Sequence, residues 1–208
     1  QIKVSSNGRS IWDSGKVESS QSTGIACEGT IAERMAYRWE VTVWDQEGRT
    51  YQAGASFETG ASNVQEWKDA EFIRLNKSRL APIFRTEQRM MRTDIRKARL
   101  YITALGVYEA YVNGNRAGEW DADGKLIYHD MNTGYANPDK SLGYQTYDVT
   151  KFLTGAQTAA VAIKAGTGWY NGMGNTDVSS PAVKGLLMID YADGSTQAIQ
   201  TNTTDLKG

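Results

Sequence analysis

Cysteine and histidine are nearly missing from this chain of 208 residues, which holds one of each, Cys27 and His129. A single cysteine can form no disulfide within the chain, and one Cys with one His cannot supply a zinc site of the usual ligand number. A histidine-based catalytic triad has only His129 to draw on, and no serine sits in a GxSxG frame. Net charge is equally scarce. Lys and Arg number 23 against 24 Asp and Glu, a balance of −1 that gives no electrostatic case for nucleic acid or an anionic membrane surface as partner. No apolar run approaches the roughly 20 residues a membrane helix needs. There is no Met at position 1, and Gln1-Ile2-Lys3-Val4 reads as the middle of a strand. The chain is therefore expected to be a piece of a longer protein, with any export signal upstream.

What is present is β-forming sequence. Hydrophobic residues make up 40%, with six Trp and eleven Tyr, enough for packed cores in one large or two smaller domains. The stretch Lys97–Gly114 sets the architecture. Ala98, Leu100, Ile102 and Ala104 alternate with Arg99, Tyr101 and Thr103, the period of a strand with one buried face. A second aromatic and β-branched run, Val107 to Val112, follows Gly106 and ends on Asn113-Gly114, a strong hairpin-turn signal. The middle of the chain is predicted to be antiparallel β.

Residues 1–60 read as short strands and turns: Ile2 to Ser5, Ile11 to Val17, Thr23 to Cys27, Tyr37 to Trp44 and Ala55 to Gly60. Tyr37, Trp39, Val41 and Val43 share one face, with Tyr37 and Trp39 expected in the core. A fibronectin type III sandwich needs about seven strands, so this module is expected to lack its first strands. Residues 61–71 are polar around Trp67 and form the joint, with Trp67 expected as a plug between modules. Residues 72–208 resume the β pattern from Phe72-Ile73-Arg74-Leu75 through Ser195 to Gln200, with polar loops at 115–142 and 166–180. The predicted class is all-β: a truncated fibronectin type III-like sandwich, then a jelly-roll β-sandwich, with no helix beyond two turns.

Five segments carry a family resemblance. They are Leu100 to Glu109, Tyr111-Val112-Asn113-Gly114, Tyr144 to Thr150, Gly168-Trp169-Tyr170-Asn171-Gly172 and Tyr191-Ala192-Asp193-Gly194. In order and spacing they resemble the N-terminal β-sandwich module of bacterial α-L-rhamnosidases of glycoside hydrolase family seventy-eight. Trp12 to Val17, Tyr37-Arg38-Trp39, Phe57 to Gly60 and Trp67 resemble the fibronectin-like domain and joint before it. The resemblance covers nearly the whole chain. It implies that the catalytic carboxylates belong to an (α/α)₆ barrel following these modules, so this fragment is expected to be non-catalytic. The implied partners are a rhamnose-containing glycan and the catalytic domain of the same polypeptide, and the parent protein is expected to be secreted or periplasmic.

The resemblance also implies where a sugar would be held. Sugar-binding modules of the family bind L-rhamnose through calcium, with Asp and Asn ligands in the loop before the Tyr-Asp-Val-Thr strand. Asn137 and Asp139 are the matching metal candidates. Calcium takes about six to eight oxygens, and sugar hydroxyls can replace its waters. The family pattern, however, has an acid near position 137 and no proline at 138, and its loop after Gly172 is longer. Trp169 and Tyr170 are candidate stacking platforms, with a structural anchor as the alternative for each. Glu109 is a candidate acceptor for sugar hydroxyls, or else a structural acid. Asp121, Asp123, Asp130 and Asp177 are expected as solvated turn acids. A free-standing hydrolase would need two of them roughly 5 to 9.5 Å apart, and sequence places no such pair. Two readings stay open, a calcium-assisted carbohydrate-binding module and a structural spacer that has lost its sugar site. Edge strands left by missing partners would favour dimerisation.

Overall fold

The computed structural model describes residues 1–75, 81–170 and 180–203. The chain divides into two compact units, Gln1–Val64 and Gln65–Gly208. In the first unit β1 (Ile2–Ser6) and β2 (Arg9–Asp13) form a hairpin, turned by Asn7 and Gly8 at positive φ. The chain returns through β3 (Ala36–Trp44) and β4 (Thr50–Glu58), giving one antiparallel sheet in the order β2-β1-β3-β4. Val4 and Tyr37 are its buried hydrophobic residues, and Tyr37 stacks on Phe57 across the β3–β4 pair. Trp39 is half-buried and Val43 exposed, so the expected apolar face of β3 is covered only at its Tyr37 end. The expected strand at Thr23–Cys27 does not form. Those residues are exposed, and Gly24 at φ 70° breaks the pleat.

The second unit opens with a short helix, α1 (Gln65–Asp69). Phe72–Leu75, expected as a strand, contributes a single bridge, Ile73 to Val183. Then follow β5 (Ile83–Arg89), β6 (Ile95–Leu105), β7 (Val107–Val112) and the two-residue strands β8 (Asn115–Arg116), β9 (Glu119–Trp120) and β10 (Leu126–Ile127). After these come β11 (Gln145–Asp148), a helical turn α2 (Thr150–Leu153), β12 (Thr158–Gly166), a 3₁₀ turn Gly168–Tyr170, β13 (Ala182–Tyr191) and β14 (Thr196–Gln200). Two four-stranded antiparallel sheets, β11-β6-β13-β14 and β5-β12-β7-β8, face each other, and β9 and β10 pair as a small ribbon.

Two features of β6 go beyond the local pattern. The run before Gly106 and the run after it belong to opposite sheets, while the Asn113-Gly114 turn joins β7 to β8 as its hairpin signal predicts. Gly106 makes the crossing at φ 146°, and a Cβ there would lie 2.2 Å from the Gly166 carbonyl oxygen, so only glycine fits. The second is that β6 is buried on both faces, where the alternation predicts one. Ala98, Leu100, Ile102 and Ala104 enter the core with Val112, Ile163, Leu187 and Ile189. On the other face Tyr101 packs edge-on to Tyr144 and Thr103 donates to the Gly143 carbonyl (2.6 Å), while Trp67 of α1 tilts onto Tyr144. Trp67 thus works as part of the cover over its own unit. Polar residues on such a face read as solvent-facing in sequence, because the loop that covers them is distant along the chain.

Candidate functional site

The sequence-selected residues gather around one long loop, residues 128–144, and the outer face of the β5-β12-β7-β8 sheet. Hydrogen bonds from several elements pin the loop. Asp130 accepts from Arg116 of β8, Asn132 donates to the Tyr147 hydroxyl (2.5 Å), and the Tyr170 hydroxyl donates to the Ala136 carbonyl (3.0 Å) while accepting its N–H (3.3 Å). Burial pushes the Tyr147 and Tyr108 phenols up, so both stay protonated and serve as hydrogen-bonding struts.

Glu109 stands on β7 opposite Lys164 of β12. Its carboxylate accepts from the Tyr111 hydroxyl (2.7 Å) and from Lys164 Nζ (3.3 Å), and Arg116 Nη2 lies 3.4 Å away. The Tyr111 hydrogen bond, with Lys164 and Arg116 behind it, holds the Glu109 carboxyl below the usual range against a modest desolvation cost. The same contacts raise Tyr111 and Lys164. Every carboxyl in the described residues whose pKa departs from its ordinary value is lowered. A glycosidic general acid needs the opposite shift. Asp121 takes the N–H groups of Asp123 and Lys125, as a turn acid does.

Trp169 and Tyr170 separate sharply. Trp169 is 38% exposed, whereas Tyr170 is 1% exposed, with its hydroxyl committed to Ala136. Tyr170 therefore has no open ring face for a pyranose and is an anchor, which corrects its selection as a stacking platform. The exposed ring beside it is Tyr135, with centroids 5.2 Å apart. Sequence reasoning passed over Tyr135 and Tyr128, whose ring lies under Arg116. The available signal was two tyrosines inside an otherwise polar segment.

Asn137 and Asp139 are both exposed, and Asn137 Oδ1 accepts the Asp139 N–H (2.9 Å). Lys140 N–H closes the turn on the Asn137 carbonyl (3.0 Å), with Pro138 at the position its fixed φ favours. The amide oxygen expected to face a cation thus accepts one hydrogen bond within its own turn and keeps a second lone pair. Among the described residues no group of three or more Asp, Glu, His or Cys could hold a metal ion. Asn137 and Asp139 offer one amide oxygen and one carboxylate toward the about six to eight oxygens calcium takes, and most of the second loop of the implied site, 168–181, lies outside the described residues. Asn171, Gly172 and Asp177 lie outside the described residues.

These features define an all-β module with exposed aromatic rings on a pinned loop and an ion-paired sheet face. Residues 93–206 match the family model described as "Alpha-L-rhamnosidase N-terminal domain", and residues 1–63 match "Rha78A-like, N-terminal immunoglobulin domain". The chain belongs to the α-L-rhamnosidase N-terminal domain family. It is 32% identical to an α-L-rhamnosidase of Alteromonas sp. (strain LOR), over 97% of this chain and 24% of that protein. It is 28% identical to an α-L-rhamnosidase of Formosa agariphila, over 95% of this chain and 22% of that protein. The α-L-rhamnosidase structure from Dictyoglumus thermophilum superposes with a TM-score of 0.75 at 28% identity, covering 97% of this chain and 24% of that one. That from Aspergillus terreus superposes with a TM-score of 0.78 at 25% identity, over 99% and 24%. The chain spans about a quarter of the length of these relatives.

Proposed function

We propose that this chain is the non-catalytic N-terminal part of an α-L-rhamnosidase, and that its two modules serve as a scaffold that orients a catalytic (α/α)₆ barrel lying outside it. The observation that carries this reading is the condition of the sugar-site candidates. Tyr170 is closed, Glu109 is engaged by Tyr111, Lys164 and Arg116, and the Asn137 amide oxygen accepts the Asp139 N–H within its own turn. Purified chain is expected to leave a nitrophenyl α-L-rhamnoside intact. Isothermal titration of L-rhamnose, with calcium near 1 mM and again with chelator, is expected to release no heat. Turnover would overturn the non-catalytic reading, and chelator-sensitive heat would overturn the scaffold reading.

One observation favours a second reading. Tyr135 and Trp169 offer exposed rings at the loop end of the sandwich, and aromatic faces of this kind hold the apolar face of a pyranose. A carbohydrate-binding module working by stacking would give weak, calcium-independent heat with L-rhamnose or a rhamnose-containing glycan, lost in Trp169→Ala.

A further inference from the structure

On a different part of the second unit, four cations surround an open cleft of about 560 Å³. Arg96, Lys97 and Arg99 come from β6 and Lys151 from α2, and Trp120 of β9 forms a wall. That volume lies within the range of small-ligand sites. The lining carries one carboxylate, Asp148, which Arg99 approaches at 2.8 Å. A second, the buried Asp190, lies 3.9 Å from both Arg96 and Lys97. Among the described residues four positive charges stand against two negative ones here, within a chain whose net charge is −1. Holding Arg99 and Lys97 at 16% and 19% side-chain exposure concentrates that field where screening by water is weak.

The polar detail favours one kind of anion. Among the described residues Thr150 N (3.0 Å), Thr150 Oγ1 (2.6 Å) and Arg99 (2.8 Å) all approach Asp148 at Oδ1, which leaves Oδ2 to accept from a ligand. An acceptor carboxylate would repel a bare phosphate or sulfate but suits a ligand that also donates hydroxyls. Trp120 is fixed by its Nε1–H to the Asp148 carbonyl (2.8 Å), and Lys151 Nζ lies 4.2 Å from its ring centroid. A rigid indole, cations and one hydroxyl acceptor together match a sugar acid. We propose that this cleft binds an anionic saccharide of the uronate type, its carboxylate met by Lys151 and Arg96 and its hydroxyls by Asp148.

The test is a titration of isotope-labelled chain by NMR with a uronate trisaccharide and, in parallel, with its carboxyl-reduced neutral form, inorganic sulfate, a hexaglutamate peptide and L-rhamnose. Amide shifts at residues 96–99 and 148–151 are expected with the uronate, at least five-fold weaker with the neutral form and sulfate. They should weaken several-fold between 50 and 300 mM salt. Arg96→Ala and Lys151→Ala, both at exposed positions, should each weaken binding three-fold or more without changing the thermal midpoint. Equal binding of the neutral form, or no shift at these amides, would overturn the proposal. So would sulfate or hexaglutamate binding as tightly as the uronate, which would make this a general anion site or an acidic-polypeptide surface. L-Rhamnose reports separately on the loop end, so either reading can fail without the other.

Discussion

Asn113 and Ala160 exchange two hydrogen bonds across the β7–β12 edge, Asn113 N–H to the Ala160 carbonyl (2.9 Å) and Ala160 N–H to Asn113 Oδ1 (2.8 Å). The same amide donates through Nδ2 to the carbonyls of Phe152 (3.2 Å) and Thr158 (3.0 Å). A residue readable as half of a turn dipeptide therefore clamps the end of α2 to the start of β12.

Replacing this residue separates the turn from the clamp. Asn113 sits at φ 47°, so Asn113→Gly keeps the backbone and loses only the side-chain bonds, for an expected loss of about 2 kcal/mol. Asn113→Ala adds the left-handed backbone cost, roughly 1 kcal/mol more. Urea unfolding of both variants checks this, and equal midpoints would show that the positive φ carries no cost here.

Gly106→Ala tests the sheet crossing. The added methyl would meet the Gly166 carbonyl at 2.2 Å and the Pro181 side chain at 3.1 Å. A loss of about 3 kcal/mol or more is expected, measured as a fall in the thermal midpoint of the second unit. A change below about 0.5 kcal/mol, the scale of a harmless surface substitution, would show that position 106 has room for a side chain.

Tyr170→Phe and Trp169→Ala should part company. Tyr170→Phe leaves the Ala136 N–H and carbonyl unpaired, costing about 1 to 2 kcal/mol. Trp169→Ala should stay within about 0.5 kcal/mol, as surface substitutions do. The reverse order in chemical denaturation would exchange their roles as anchor and exposed ring.

Acid stability should report on Glu109. Its carboxyl is lowered in the fold by the Tyr111 bond, so folding favours the ionised form. That contribution is fully present above the free carboxyl value of about 4.3 and is lost as pH falls through the lower folded value. The gap in urea midpoint between wild type and Glu109→Gln should be constant above about pH 5 and close toward pH 2. A gap independent of pH would show that Glu109 titrates as a free side chain.

Strand existence was legible in the sequence where apolar and polar residues alternate, as at Tyr37–Trp44. Partners were not. The alternation of Ala98 to Ala104 fixes a strand, but nothing local says that it pairs with β11 and β13 while Val107–Val112 goes to the other sheet. The family resemblance was legible from motifs in register, and the matches over residues 93–206 and 1–63 agree with it. Adjacent aromatics in Gly-Trp-Tyr look alike in sequence, and only the distant Ala136 backbone decides that Tyr170 is buried and Trp169 open. The same holds for Asn113, whose partners lie at 152 to 160.

The pairing of β6 with β13 joins Leu105 to Ala182 and Ile95 to Tyr191. During synthesis β6 therefore emerges with its widest hydrogen-bonding edge unmatched, and stays so until nearly all of this chain has left the ribosome. Long-range antiparallel closure of this kind is slow because the loop must be ordered before its contacts form. The strand from Ala98 to Ala104 is then the segment most open to pairing with another nascent copy, so yield of soluble protein should depend on how quickly β13 follows it.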